Sequence, residues 1–153
     1  MNPFNDINIS EILPQREPFL FVDRLVHYDE RETVTAFLVP VEHLLVEDGH
    51  LTAAGILENM AQSSAARIGY LCRYILHVPV RIGYIGAIKK FRVYRLPAVG
   101  ETLTTTILFR EDVFGISLVD AVVCIGDERI AEAALKTGVG GKGGGGGRAA
   151  GGG

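Results

Sequence analysis

The amino-acid sequence predicts an α+β domain in which a curled antiparallel sheet of about six strands wraps around one long central helix. The chain has 153 residues, 48% of them hydrophobic, which is enough for one domain with a sizeable core. Apolar residues recur at spacings of three and four between about residues 53 and 76, which predicts the helix. The other regular segments are rich in β-branched and aromatic residues, and their order, β-β-α-β-β-β-β, favours a sheet folded around that helix.

The segment before the helix combines a helical turn, two strands and a tight turn. Residues 10–13 predict a short helical turn that Pro14 stops. Period-2 patterns over residues 19–26 and 33–39, separated by a polar stretch, predict two strands joined by a turn. Asp48-Gly49, between two short apolar runs, predicts a tight turn just before the helix.

The predicted helix begins after Thr52, a good N-cap residue, and ends near residue 76, before Pro79. A helix over residues 53–76 would be about 36 Å long at 1.5 Å per residue. Its surface is unusually rich in glycine, alanine and serine, which lets other segments approach it closely. We therefore expect the rest of the chain to enclose it.

Four strands are predicted after the helix, over residues 80–93, 101–110, 115–125 and 128–139. Gly126-Asp127 predicts a hairpin turn between the last two strands, and Pro97 with Gly100 interrupts the connection after the first.

The glycine-rich end of the chain is predicted to lie outside the folded domain. Eleven of the 16 residues from Gly138 to Gly153 are glycine, which favours a flexible coil. We expect a single domain over residues 1–139 and a flexible tail over residues 140–153. The tail is either a linker or interaction segment or an artefactual end.

Charge and cysteine content exclude several classes of protein. The formal net charge is -3, from 15 basic and 18 acidic residues, which argues against nucleic-acid binding. No uncharged apolar run is long enough for a membrane span, and the acidic start is not that of a secretory signal. Cys72 and Cys124 form no CxxC motif, so we expect reduced thiols in the cytoplasm. We predict no metal and no cofactor, since no ligand spacing or phosphate loop is present.

Four segments, in order, resemble the 3-hydroxyacyl-(acyl-carrier-protein) dehydratases of the hotdog fold. They are Ile12-Leu-Pro-Gln-Arg-Glu-Pro-Phe-Leu-Phe-Val-Asp-Arg-Leu25, Gly55-Ile-Leu-Glu-Asn-Met-Ala-Gln62, Ile85-Gly-Ala-Ile-Lys-Lys-Phe-Arg92 with the following Arg95–Leu103, and Gly126-Asp-Glu-Arg-Ile-Ala-Glu-Ala133. The resemblance covers about residues 9–138 and implies the hotdog fold. Gln15 stands where the family has a histidine.

The resemblance implies that Glu58, on the helix, is the catalytic carboxylate; the alternative is a structural glutamate that is partly exposed or paired with Arg67 or Lys89. Dehydration needs a base for the C2 proton and an acid for the departing C3 hydroxyl, and the family is understood to use a histidine and a carboxylate across a dimer interface. The histidine motif is not matched. His50 follows Gly49 but lies 8 residues before Glu58, whereas His43 lies 15 before it without the flanking glycine and proline. His50, His43 or neither is the base.

The matched motifs also imply a set of substrate-binding residues: Gly55, Ile56, Gln62 and Gly86. Gly55, near the helix start, is a candidate amide for the thioester carbonyl, and close packing is the alternative. One basic cluster is either a solvated strand face or a docking place for an acidic carrier protein or a coenzyme A phosphate: Lys89, Lys90, Arg92 and Arg95.

Three functions remain open from the sequence. The first is dehydration of a 3-hydroxyacyl thioester, carried on acyl carrier protein or coenzyme A, in fatty-acid or related biosynthesis. The second is an acyl-thioesterase in which Glu58 orients or activates water, and the third is a non-catalytic subunit that binds acyl chains or a catalytic partner. We expect a homodimer or a higher even oligomer, because one sheet edge would otherwise be exposed. The region of residues 82–85 and 91–94 is the candidate for this edge or for the wall of the binding groove.

Overall fold

The computed structural model describes residues 2–140 and has one long helix enclosed by a curved antiparallel sheet, the hotdog arrangement. Helix α1 spans Ala53–Tyr70 and continues into a π-helical turn, Leu71–Ile75, and a 3-10 turn covers Ile9–Glu11. The strands are β1 Arg24–Tyr28, β2 Glu32–Leu38, β3 Val46–Glu47, β4 His50–Leu51, β5 Gly83–Val93, β6 Thr102–Val113, β7 Ile116–Ile125 and β8 Glu128–Val139.

Six of these strands form one antiparallel sheet in the order β1-β2-β6-β7-β8-β5, and β3 and β4 form a separate hairpin. Strands β1 and β5 therefore lie at the two edges. The β3–β4 turn is made by Asp48 and Gly49, both with positive φ, as the sequence predicts. The predicted edge region around residues 82–94 is β5.

The helix begins and ends close to the predicted limits. The Thr52 side-chain oxygen accepts the Gly55 N–H at 3.2 Å, and its hydroxyl donates to the Leu45 carbonyl at 3.0 Å. The π-helical turn extends the helical segment to Ile75. His77, beyond its end, has a positive φ, in the left-handed region. The prediction of one helix over residues 53–76 is confirmed.

The core lies between α1 and the concave face of the sheet. Ile56 and Met60 are completely buried against Leu103 and Ile107 of β6. Small helix residues allow close approach, as predicted: a Cβ on Gly69 would lie 2.0 Å from the Ile12 carbonyl oxygen. The Oγ atoms of Ser63 and Thr35 are 2.7 Å apart, which ties the helix to β2.

The predicted strand over residues 19–26 is only partly correct. Strand β1 begins at Arg24. The residues before it are held by side chains of α1 in place of a neighbouring strand, because Asn59 donates to the Phe21 carbonyl and Gln62 donates to that of Phe19. The predicted tail over residues 140–153 lies, apart from Gly140, outside the described residues. Among residues 2–140, no helix combines the length and the apolar character that a membrane crossing requires.

Candidate functional site

Glu58 borders a cavity of about 180 Å³ between α1 and the edge strand β5. Ala61 and Ala65 form the helix side of this cavity, and residues 83–85 form the strand side. Gln15 lies at its border as well. Small side chains on the helix leave the space open, and the half-buried Glu58 supplies the carboxylate among the residues that line it.

Gln62 holds the Glu58 carboxylate in place. Its Nε2 donates to Glu58 Oε2 at 3.0 Å and to the Phe19 carbonyl at 2.8 Å, while its Oε1 accepts the Phe21 N–H at 2.7 Å. Gln62 is almost completely buried, so all three bonds lie within a fixed framework. The structure therefore brings together Glu58 and Gln62, two of the residues that the sequence predicts for the site.

Two polar atoms at this cavity have no hydrogen-bond partner within residues 2–140. They are Gln15 Oε1 and Ser64 Oγ, both buried. Buried polar atoms are nearly always satisfied, so unpaired ones beside a carboxylate are free to bond a polar ligand. Neither was predicted as a site residue. The signal for Gln15 was its position in the first motif, where the family has a histidine.

His43 packs beside this framework without lining the Glu58 cavity. Its ring lies 4.3 Å from the Phe21 ring and 5.9 Å from the Phe37 ring, measured between centroids. Its Nε2 is 3.2 Å from the Leu20 carbonyl oxygen, and its Nδ1 is buried without a partner in the described residues.

His50 lies at the N-terminal end of α1, on strand β4. Its side chain is exposed, and its Nδ1 is 2.9 Å from the Asp48 carbonyl oxygen. Its backbone forms an isolated bridge with Ala98. Among the residues that the structure describes, neither His50 nor any other histidine lines the cavity with Glu58.

The remaining predicted substrate-binding residues lie apart from the cavity. The Gly55 N–H already bonds the Thr52 cap, and a Cβ at Gly55 would lie 2.4 Å from Leu51 Cδ1, so close packing requires the glycine. Ile56 is completely buried in the core. Gly86 lies at an irregularity in the pairing of β5 with β8, next to the cavity residue Ile85.

The predicted basic cluster is partly neutralised by ion pairs. Arg95 lies 2.9 Å from Glu101 and 2.8 Å from Glu128, and its hydrogen bonds lower the pKa of both carboxyl groups. Arg92 is 3.8 Å from Glu132. Within residues 2–140 only Lys89 and Lys90 of this cluster carry no carboxylate partner.

One triplet that the sequence analysis missed has the residue types of a metal site. Ligand atoms of His27, Asp29 and Glu32 lie within 4.8 Å of one another at the β1–β2 turn. Asp29 Oδ2 already pairs with His27 Nε2 at 2.7 Å, and Asp29 is exposed. These contacts explain the cluster as part of the hydrogen bonding of the β1–β2 turn.

The wrapped helix and the six-stranded sheet define a hotdog-class protein, in which a carboxylate borders a cavity beside an edge strand. The profile of the ApeP-like family, described as ApeP dehydratase, matches residues 7–139. The chain therefore belongs to the ApeP-like dehydratase family.

Individual relatives agree with this assignment. The 3-hydroxyacyl-(acyl-carrier-protein) dehydratase FabZ of Desulforamulus reducens is 32% identical over 144 residues, covering 90% of this chain and 99% of the relative. FabZ of Aliivibrio fischeri is 30% identical over 145 residues, covering 86% and 91%. The dehydratase heterocomplex ApeI:P from Xenorhabdus doucetiae superimposes with a TM-score of 0.79 at 14% identity, covering 87% and 91%, which shows the shared fold.

Proposed function

We propose that the chain dehydrates 3-hydroxyacyl groups carried as thioesters on an acyl carrier protein, giving the trans-2-enoyl thioester and water. The observation that carries the proposal is the Glu58 carboxylate, oriented by buried Gln62 beside a cavity at the sheet edge that both polar and apolar side chains line. The names of the FabZ relatives support the substrate class, since they specify 3-hydroxyacyl groups on acyl carrier protein.

In the proposed step a base removes a proton from C2, and the C–H electron pair forms the C2–C3 double bond as the C3–O bond breaks. Glu58 in its acid form gives its proton to the departing hydroxyl, which leaves as water. Glu58 Oε2 accepts from Gln62, which leaves Oε1 to face the C3 oxygen. Donors near the thioester carbonyl would stabilise the negative charge that develops there.

The base in this proposal comes from a second chain. No histidine lines the Glu58 cavity in the part of the chain that the structure describes, whereas β5, which forms one wall, is an edge strand open to pairing. A dimer through β5 would cover the cavity and add residues of the second copy to it. We propose His50 as the base, because it is exposed and lies at the helix N-terminal end, with His43 as the alternative.

The lack of a histidine at the cavity favours a second candidate, in which this chain supplies only part of an active site. The similar ApeI:P structure is described as a heterocomplex, so a catalytic partner of a different sequence is one source of the missing base. An acyl-thioesterase in which Glu58 activates water also needs no histidine.

One assay separates these functions. The purified chain is incubated with 3-hydroxyacyl and saturated acyl carrier-protein thioesters, and enoyl formation and thiol release are followed together. Dehydration predicts enoyl product without thiol release. The Glu58→Gln variant should lower the dehydration rate by about 10²-fold or more, the usual size of general acid–base catalysis.

The structure supplies a matched control for this variant. A glutamine at position 58 can still accept the Gln62 hydrogen bond, so the melting temperature should be unchanged. Glu47→Gln changes an exposed carboxylate on β3 and should keep the full rate. Full activity in Glu58→Gln would remove Glu58 as the acid, and thiol release alone would establish the thioesterase.

A further inference from the structure

A second cavity, of about 290 Å³, lies at the C-terminal end of α1 and is separate from the Glu58 cavity. In the described part of the chain, only Ile68 and Thr137 line both cavities, and both residues are buried, so they lie between the two spaces. Arg67 and Arg81 line the second cavity, which we name the Arg67 cavity. Ligand pockets in proteins begin at about 300 Å³, so this space suits a small ligand.

The wall of the Arg67 cavity includes large apolar side chains that are exposed to solvent. Leu76 and Val78 line the cavity and are 56% and 39% exposed. Their backbone N–H groups bond the Leu71 and Cys72 carbonyls, both at 2.9 Å, so the segment after the π-helical turn is held in place. Exposed apolar side chains beside a hollow are typical of a surface that binds an apolar group.

Arg67 has hydrogen-bonding capacity that no protein group uses within residues 2–140. Its guanidinium carbon lies 4.6 Å from the centre of the Phe109 ring, so one face of the group is covered by stacking. Its N–H donors lie in the plane of the group, and among these residues they make no hydrogen bond and no ion pair. Desolvation lowers the pKa of this half-buried guanidinium, the direction expected of a charge that its neighbours only partly compensate.

The charges at the Arg67 cavity leave it positive. Asp112 is the one acidic residue that lines it in the part of the chain that the structure describes, and Asp112 Oδ1 already accepts the Gly115 N–H at 3.1 Å. The C-terminal end of α1 adds a dipole equivalent to about half a negative charge. Two arginines outweigh these groups, so an anionic group beside Arg67 would supply an acceptor for a charge-assisted hydrogen bond.

We propose that the Arg67 cavity is a second ligand site, which binds a carboxylate that carries a short apolar tail, the chemistry of a medium-chain free fatty acid. The carboxylate accepts hydrogen bonds from the Arg67 guanidinium, and the tail packs against Leu76 and Val78. Arg81, exposed at the border, attracts the anion. Because the two cavities are separate, this ligand is a different molecule from the thioester proposed for Glu58, and the site does not depend on the proposed function.

The test measures binding of three probes to the full chain by calorimetry. Octanoate has both the carboxylate and the apolar tail, octanamide replaces the carboxylate by an uncharged amide, and acetate keeps the carboxylate with a single methyl group. Octanoate should bind at least about tenfold more tightly than octanamide, as expected for a hydrogen bond to a charged group. It should also bind at least about tenfold more tightly than acetate, because its tail buries more apolar surface.

Two variants test the two parts of the site, and a third is the control. Arg67→Met removes the charge and should reduce octanoate affinity to that of octanamide, while octanamide still binds as it does to the parent chain. Leu76→Asp adds a carboxylate to the apolar wall and should weaken octanoate binding by about tenfold or more. Arg73→Met is the matched control, because Arg73 lies on the same helical segment, is exposed and does not line the cavity. It should keep the parental affinity.

A further variant separates the two cavities. Ala61 lines the Glu58 cavity and not the Arg67 cavity, so Ala61→Leu should leave octanoate affinity unchanged. Loss of octanoate binding in Ala61→Leu, with Arg67→Met unaffected, would place the ligand in the Glu58 cavity and overturn the inference. No detectable octanoate binding, or octanamide or acetate binding as tightly as octanoate, would overturn it as well. Enoyl formation is a separate measurement, so either proposal can fail while the other stands.

Discussion

Glu58 gains its orientation from a single neighbour one helical turn away. Gln62 Nε2 bonds both Glu58 and the Phe19 carbonyl, and Gln62 Oε1 accepts the Phe21 N–H, so the amide cannot rotate without losing three bonds. A fixed amide fixes one oxygen of a carboxylate that borders the cavity. The sequence spacing of Glu58 and Gln62 predicts that they share a helix face, but the hydrogen bonds from Gln62 to Phe19 and Phe21 depend on tertiary contacts.

The two candidate bases differ in their surroundings, which makes them separable by mutation. His50→Ala should lower enoyl formation by about 10²-fold or more, because an exposed ring at the helix N-terminal end is the proposed base. His43→Gln should keep the rate, since a glutamine can still donate to the Leu20 carbonyl. The measurement is the initial dehydration rate, with binding of an acyl pantetheine amide as the check that the site is intact.

If both histidine variants keep the parental rate, neither His50 nor His43 is the base. An active site completed by a catalytic partner of a different sequence would then be favoured, provided that activity depends on a second protein. If His43→Gln alone is inactive while still binding the amide, the base is His43 and the assignment of His50 is wrong.

Buried amide side chains on α1 hydrogen-bond the backbone of residues 19–21. Elsewhere in the sheet a neighbouring strand makes such bonds. Asn59 Nδ2 donates to the Phe21 carbonyl at 2.8 Å, and Asn59 Oδ1 accepts from Thr105 Oγ1 at 2.6 Å. Asn59 and Thr105 are completely buried, so both bonds are made away from water. This one side chain joins the helix, the N-terminal segment and β6.

Asn59→Ala should therefore destabilise the fold. The change leaves the Phe21 carbonyl and the Thr105 hydroxyl buried without partners, at a cost of about 1–3 kcal/mol for each group. We expect the free energy of unfolding, measured with urea, to fall by about 2–4 kcal/mol. Thr104→Ala, on the other face of β6 and only half-buried, should change it by less than about 0.5 kcal/mol. Equal effects of the two variants would contradict this account.

The β1–β2 turn is stabilised by one ionised carboxylate. The His27 hydrogen bond, with the N–H groups of Arg31 and Glu32, lowers the pKa of Asp29 from 3.8 to about 2. A carboxyl group with a lowered pKa in the folded state stabilises that state above its unfolded pKa. The contribution is lost as the pH falls from about 4 to about 2.

Asp29→Asn should thus lose less stability between pH 6 and pH 2 than the parent chain does, measured by urea unfolding at both values. Asp127→Asn, exposed in the β7–β8 turn, should behave like the parent. A carbon-detected NMR titration of the Asp29 carboxyl group should show a midpoint near 2. A midpoint near 4 would mean that the turn contacts do not favour the ionised form.

Periodicity identifies α1 and the strands β6 to β8 because each of these elements buries residues at a regular spacing, and it identifies β5, in which half-buried and exposed residues alternate. It places a strand at residues 19–26, where β1 begins only at Arg24, because alternating apolar residues do not show which groups satisfy the backbone. The role of Gln15 is likewise not predictable from the sequence, because it depends on which groups lie near its side chain in the fold. Its position in a motif is visible in the sequence, but the burial of its Oε1, without a partner in the described residues, and its place in the lining of the Glu58 cavity follow from the fold.

At the scale of the whole molecule, the Glu58 cavity and the open sheet edge share strand β5. Tyr84 and Ile85 of β5 line the cavity. Ile82, just before β5, and Ile88, within it, are exposed apolar residues. A long edge strand with apolar side chains is a surface that proteins normally cover. Pairing β5 with the same strand of a second copy would satisfy the unpaired backbone groups of this edge. It would also enclose the Glu58 cavity of each copy.

We therefore expect a dimer of the 16.5 kDa chain by light scattering at micromolar concentration. Ile82→Asp places a charge at a residue that is 67% exposed beside the edge, and it should shift the chain to the monomer. Phe114→Asp is the control, because Phe114 is fully exposed in the β6–β7 turn, which is separated from β5 by β8, and its variant should remain a dimer. Since the proposed base comes from the second copy, monomeric Ile82→Asp should also lose dehydration although Glu58 and Gln62 are unchanged. A parent chain that is monomeric and active would contradict both the dimer and the shared site, because one chain would then supply the acid and the base together.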